Sequence, residues 1–119
     1  MVYMLASDFA KKYPIDGAKL YNDRWYAVLL DNGYMVSIVY IDTGDNDNSE
    51  LNHCLDVCVD YFRSLNIDDD GDVLSNSDYD NREWLTCDTV EETFEMFNKF
   101  INIYKNAPDY GKEIRNGLH

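Results

Sequence analysis

Two runs of aromatic and β-branched residues face each other across a short polar break in the first third of the chain. Arg24-Trp25-Tyr26-Ala27-Val28-Leu29-Leu30-Asp31 leads through Asn32-Gly33 into Tyr34-Met35-Val36-Ser37-Ile38-Val39-Tyr40-Ile41. Both central residues of a type I′ turn need positive φ, which Asn-Gly supplies, so the pattern predicts a β-hairpin. Lys19 to Asn22 is expected to add an edge strand before it, turned at Asn22-Asp23. Near the other end, Val90, Phe94, Phe97, Ile101 and Tyr104 repeat at helical spacing, and Met96, Phe100 and Ile103 widen the stripe. This predicts a helix from about Thr89 to Asn106, opened by the capping-box pair Asp88 and Glu91 and closed by Pro108 and Gly111.

Between these elements the pattern is less decided. Leu51, Cys54, Leu55, Cys58, Tyr61, Phe62 and Leu65 fall at offsets of three and four, which favours a helix from about Ser49 to Leu65 with Asp47 and Glu50 as its capping pair. The competing reading is a strand over Cys54 to Phe62, because Val57, Val59 and Tyr61 are good strand formers and partly alternate with Asp56 and Asp60. Thr43 to Asn48 and Asn66 to Glu83 are rich in Asp, Asn, Ser and Gly and read as loops, the second with room for a short strand at Val73-Leu74; Trp84 to Cys87 reads as another short strand. Ser7 is a candidate N-cap for a short helix over Asp8 to Tyr13 that Pro14 stops, and Asp109 to His119 reads as a loosely held polar tail. With 119 residues the chain has room for one core. The expected architecture is a single α+β domain over residues 1–119: a small antiparallel sheet of two or three strands, built on the central hairpin and packed against one or two helices.

Charge changes the picture more than any motif does. Asp and Glu number 23 against 10 Lys and Arg, for a formal net charge of −13. Such a surface repels nucleic-acid phosphates and anionic lipid and draws basic surfaces, so neither direct nucleic-acid binding nor membrane association is expected. No run approaches the roughly 20 apolar residues of a membrane span, and Met1 to Ala6 lacks the basic leader of a signal peptide. Three cysteines in a domain able to build a core without staples favour reduced thiols, hence a cytoplasmic setting.

The candidate chemistry is thin. Asn66, Asp68, Asp70, Gly71 and Asp72 fall at the spacing of a calcium loop of the EF-hand family over Asn66 to Ser77, although Ser77 stands where that loop needs a bidentate Glu. His53 and Cys54 are adjacent and would point apart on a helix, and Cys54 and Cys58 share an apolar stripe, which reads as buried structural thiol. No zinc spacing, phosphate loop or nucleophile elbow is present, so the expectation is no enzyme and no cofactor.

What remains is distributed. Asp42, Asp45 and Asp47 flank the first polar loop, Asp68, Asp69, Asp70 and Asp72 the second, and Asp78 and Asp80 follow, with Tyr79 between them. These ten residues are the candidate partner-binding surface, since closely spaced carboxylates with aromatic anchors can occupy a Lys/Arg channel built for nucleic acid. In size and charge the chain resembles the small acidic DNA-mimic inhibitors that phages and mobile elements use against restriction and CRISPR nucleases. The likeness is one of composition and carries over no family residue. It implies an inhibitor of a basic, nucleic-acid-binding protein such as a defence nuclease. The alternatives are the calcium module (Asn66, Asp68, Asp70, Asp72), a structural or assembly component, and Asp residues that only form turns and keep the surface soluble.

Overall fold

A computed structural model of the chain describes residues 5–40, 55–64, 66, 69 and 77–109. Within them the order is α1 (Ala6–Lys12), β1 (Ala18–Asn22), β2 (Trp25–Leu29), β3 (Tyr34–Tyr40), β4 (Leu55–Ser64), β5 (Asp78–Thr86) and α2 (Val90–Tyr104). The five strands form one antiparallel sheet in sequence order, β1-β2-β3-β4-β5. The fold is α+β, a sheet with helices packed on it, as the hydrophobic pattern predicts.

The predicted helix at 49–65 is corrected: the described part of this segment is β4. Leu55, Val57, Val59 and Tyr61 are buried on the helix side of the sheet, while Asp56, Cys58 and Phe62 are buried on the other. A strand covered on both faces shows no clean alternation, and its nearly continuous apolar run also satisfies helical offsets. The loop expected through Glu83 ends at Ser77, because β5 begins at Asp78; almost every β5 side chain is exposed, so this strand too lacks the period of two. The suggested strand at Val73-Leu74 and the capping pair Asp47 and Glu50 lie outside the described residues.

One face of the sheet carries the main core. Tyr26, Val28, Tyr34, Val36, Ile38, Val57, Val59 and Tyr61 pack with Ala6 and Phe9 of α1 and with Val90, Phe97 and Phe100 of α2. Phe97 is fully buried, edge-on to Phe9 with centroids 6.4 Å apart and 5.9 Å from Tyr26, so one ring joins both helices to the central hairpin. Tyr13 stacks on Phe94 at 4.2 Å alongside. The Tyr26 hydroxyl accepts from Ile15 N–H at 3.0 Å and donates to the Tyr13 carbonyl at 3.2 Å, which satisfies a buried polar tip and fixes the exit from α1. A smaller cluster of Ala27, Met35 and Phe62 lies on the opposite face.

The termini of the elements differ in detail from expectation. α1 begins at Ala6, with Leu5 at the N-cap and no side-chain cap bond, while Pro14 follows it as anticipated. In α2 the cap is Thr89, whose Oγ1 accepts from Glu92 N–H at 3.0 Å, while Glu92 Oε1 accepts from Asp88 N–H at 3.0 Å; the box is displaced one residue from Asp88 and Glu91. The hairpin turn also differs. Gly33 N–H bonds to the Leu30 carbonyl and Leu30 N–H to the Tyr34 carbonyl, with Gly33 at φ 92°, which makes a three-residue loop with a G1 bulge in place of the two-residue type I′ turn. The Asn32 side chain is thereby turned to another use: its Nδ2 donates to the carbonyls of Tyr104 (2.7 Å) and Ala107 (2.9 Å), capping the C-terminus of α2 from the hairpin.

Replacement of Asn32 by Ala removes both bonds; the Tyr104 carbonyl keeps the Ala107 N–H at 3.0 Å, while the Ala107 carbonyl loses the Asn32 donor. The expected loss is about 1–3 kcal/mol in urea unfolding, with an unchanged denaturant slope. An unaltered midpoint would show that water caps the helix equally well.

Candidate functional site

In an antiparallel meander, successive connections leave from opposite ends of the sheet. Tyr40 pairs with Leu55 at one end and Ser64 with Asp78 at the other, so the two acidic connections are rooted at opposite ends of β4. Ten residues at ~3.3 Å per residue separate their anchors by about 30 Å. Asp42, Asp45, Asp47, Asp68, Asp70 and Asp72 lie outside the described residues, and Asp69 is exposed.

Asp78 and Asp80 are described, on β5, and they are held. Arg63 on β4 donates from Nε to Asp78 Oδ2 at 3.1 Å and from Nη2 to Asp78 Oδ1 at 2.7 Å, and its Nη1 bonds Asp80. The guanidinium pulls the Asp78 carboxyl below its ordinary range, and the two carboxylates raise that of Arg63. Asp78 is thus held ionised, and both acids are fixed in place by the one guanidinium. Tyr79 points to the other face, where its ring meets Phe62 at 5.2 Å, and half of its surface stays exposed.

The Asn66 to Ser77 segment closes on itself. Asn66 N–H donates to Ser77 Oγ at 2.9 Å, and the Ser77 hydroxyl donates to the Asn66 carbonyl at 3.2 Å. Ser77 is a buried clasp between loop ends, and the flanking elements are the strands β4 and β5, not the two helices of an EF-hand. Of the proposed ligands only Asn66 is described. Among the described residues no group of three or more His, Cys, Asp or Glu could hold a metal ion.

Sequence reasoning missed the residues around β5 that the fold assembles. Trp84 stands on the face opposite the helices and donates its indole N–H to Asp56 Oδ2 at 2.7 Å; Asp56 is buried while the indole stays half exposed. Beside it, Asn81 Nδ2 donates to Asp60 Oδ1 at 3.0 Å. Further along the same face Trp25 Nε1 donates to Ser37 Oγ at 3.0 Å. On the helix side, Arg82 is the extra residue of a bulge opposite Val59 and Asp60, and its guanidinium lies over the Tyr61 ring at 5.3 Å. Arg82, Glu83, Trp84 and Leu85 of β5 and Met96, Lys99 and Phe100 of α2 line an open cleft of about 510 Å³. The Tyr104 hydroxyl bonds Glu83 at its margin, and Tyr61 donates to Asp109 Oδ1 at 3.0 Å. The only sequence signal for this site was the aromatic content of 79–84, masked by its Asp and Asn.

The electrostatics leave both described thiols unsuited to nucleophilic chemistry. Burial first, and the Asp60 charge after it, push the Cys58 thiol up to about 12; burial, with the Glu92 carboxylate adding to it, pushes Cys87 up to about 11. Both thiols are protonated at neutral pH and poor nucleophiles. Burial also raises the Asp60 carboxyl, partly offset by the Asn81 amide. No helix among the described residues is long and apolar enough to cross a membrane. Compared with known proteins, the chain matches no family model, no curated protein and no solved structure.

Because Asp60 is raised above its ordinary 3.8, it favours the folded state most below that value, and this contribution is lost as pH climbs through the folded-state pKa. Asp60→Asn is therefore expected to raise Tm at pH 7, with the gain shrinking as pH falls through the raised folded-state pKa and gone below 3.8; a Tm gain independent of pH would point to packing instead. In the native protein at pH 8, Cys58 and Cys87 are expected to resist an aromatic disulfide reagent and to react on unfolding. Mass analysis of the labelled sites checks this.

Proposed function

We propose that this chain is a non-enzymatic, acidic protein-binding domain whose partner is a basic, nucleic-acid-binding protein, most specifically a defence nuclease that it inhibits by charge mimicry in the cytoplasm. The observation that carries the reading is where the carboxylates are mounted. At one end of the sheet stand Asp23, Asp88 and the first turns of α2 with Glu91 and Glu95; at the other stand Asp31, Asp78 and Asp80, all exposed. The ends are about 30 Å apart, close to the ~34 Å of one B-DNA turn. β5 holds Asp78 and Asp80, the capped α2 holds Glu91 and Glu95, and Asp23, Asp31 and Asp88 sit in the turns that adjoin these elements and the hairpin, so backbone entropy lost when a cationic surface docks is small. The net charge of −13 supplies long-range attraction to such a surface and repulsion from nucleic acid itself. Exposed Tyr79 and Trp84 are of the residue types that anchor protein interfaces.

The test is capture of a basic partner by tagged protein, with washes at low salt, at about 0.5 M salt, where screening is short, and at low salt with a calcium chelator. The expected result is a DNA- or RNA-binding protein that salt weakens and added duplex displaces. Joint replacement of Asp68, Asp69, Asp70 and Asp72 by Asn is expected to weaken capture at least tenfold with the fold intact. Loss only with chelator would transfer the reading to calcium, and a salt-resistant oligomer of the chain alone would transfer it to an assembly role.

A further inference from the structure

Two helices do not cover five strands. At ~4.8 Å between neighbours the sheet is about 19 Å across; α1 lies over β1 to β3 and α2 over β3 and β4, so among the described residues the helix side of β5 stays open. That uncovered strip is the cleft between β5 and α2. Four of the five large exposed apolar side chains among the described residues flank this edge: Leu85 of β5 and Ile103, one turn beyond the cleft residue Lys99 on α2, on the helix side, and Tyr79 and Trp84 of β5 on the opposite face; Leu20 alone is elsewhere. β5 is also an edge. Among the described residues nothing pairs with its outer side, so part of its nine-residue backbone directs N–H and C=O groups into solvent.

The two faces of this edge differ in chemistry. On the cleft side, Leu85, Met96 and Phe100 offer an apolar floor rimmed by Arg82, Lys99 and Glu83, and farther along the same face Asp78 and Asp80 are already paired with Arg63. On the other side, the exposed rings of Trp84 and Tyr79 stand next to the carboxylates of Asp56 and Asp60. A strand laid along β5 would point alternate side chains to these two environments, apolar ones into the cleft and cationic ones over the rings. A second copy of the chain fits poorly, since each carries a charge of −13 and Asp78, Asp80 and Glu83 line the edge itself.

We infer that β5 receives an extended segment of the partner as a sixth strand, one in which Lys or Arg alternates with apolar residues. This rests on the basic-partner reading and adds to it the place and form of contact.

The probe is a synthetic peptide of about twelve residues alternating Lys and Val, compared with the same peptide methylated at every backbone nitrogen, which keeps the charge and removes the strand's donors. Expected are binding at low salt, at least tenfold weaker binding of the methylated peptide, slowed hydrogen exchange of β5 amides, and at least tenfold weakening by Leu85→Lys, which puts a cation on the apolar floor. Equal binding of both peptides without β5 protection would overturn strand addition and leave the basic-partner reading standing. Failure of both peptides to bind at low salt would overturn both. A peptide-free dimer in sedimentation, with β5 amides already protected and lost in Leu85→Lys, would show that a second copy takes the edge.

Discussion

β4 has to be at home in two environments at once. Leu55, Val57, Val59 and Tyr61 supply the helix-side core, and Asp56, Cys58, Asp60 and Phe62 line the opposite face, so neither set can be exchanged for the polar alternation of an ordinary half-buried strand. The polar members are tolerated because each has a partner: Asp56 holds the Trp84 indole, Asp60 the Asn81 amide, and Cys58 the Ser37 hydroxyl. A buried carboxylate without such a donor would cost several kcal/mol. These same bonds tie the exposed edge strand to the middle of the sheet, so the two-sided burial of β4 is what gives β5 a fixed shape.

Sequential pairing of the strands governs the charge as well. Because each connection reverses the chain, negative charge is delivered alternately to the two ends and cannot gather in one patch at its points of attachment. The anchors of the two connections stand about 30 Å apart, which keeps the described acids of the two ends from meeting in one cluster. Arg63 moderates the far group by drawing Asp78 and Asp80 together, which fixes their spacing at the expense of some net charge.

How much of this was legible follows from burial. The hairpin and α2 each have one apolar face and one wetter face, and their periods stood out in Trp25–Tyr40 and Val90–Tyr104. β4, covered on both sides, and β5, exposed on both, erase the period of two from opposite directions; β4 was read as helix, and β5 as loop up to Glu83 with only its end from Trp84 read as strand. Asn32 was legible as a turn residue but not as the cap of a helix 72 residues away, since that role exists only after the layers meet. The same holds for the site: Asp78, Tyr79 and Asp80 were visible as letters, while the Arg63 clamp, the Asp56–Trp84 bond and the cleft along α2 arise from register.

Phe97 sits at the junction of Phe9, Tyr26 and the sheet, yet it belongs to the last helix described. On the ribosome, β2 and β3 emerge about 60 residues before α2, which at ~5–20 residues per second is an interval of roughly 3–12 s. Throughout it Tyr26 has Phe9 of α1 beside it but lacks Phe97, so the helix-side face of the hairpin is only partly covered. An excess of negative charge opposes association between chains in that half-built state.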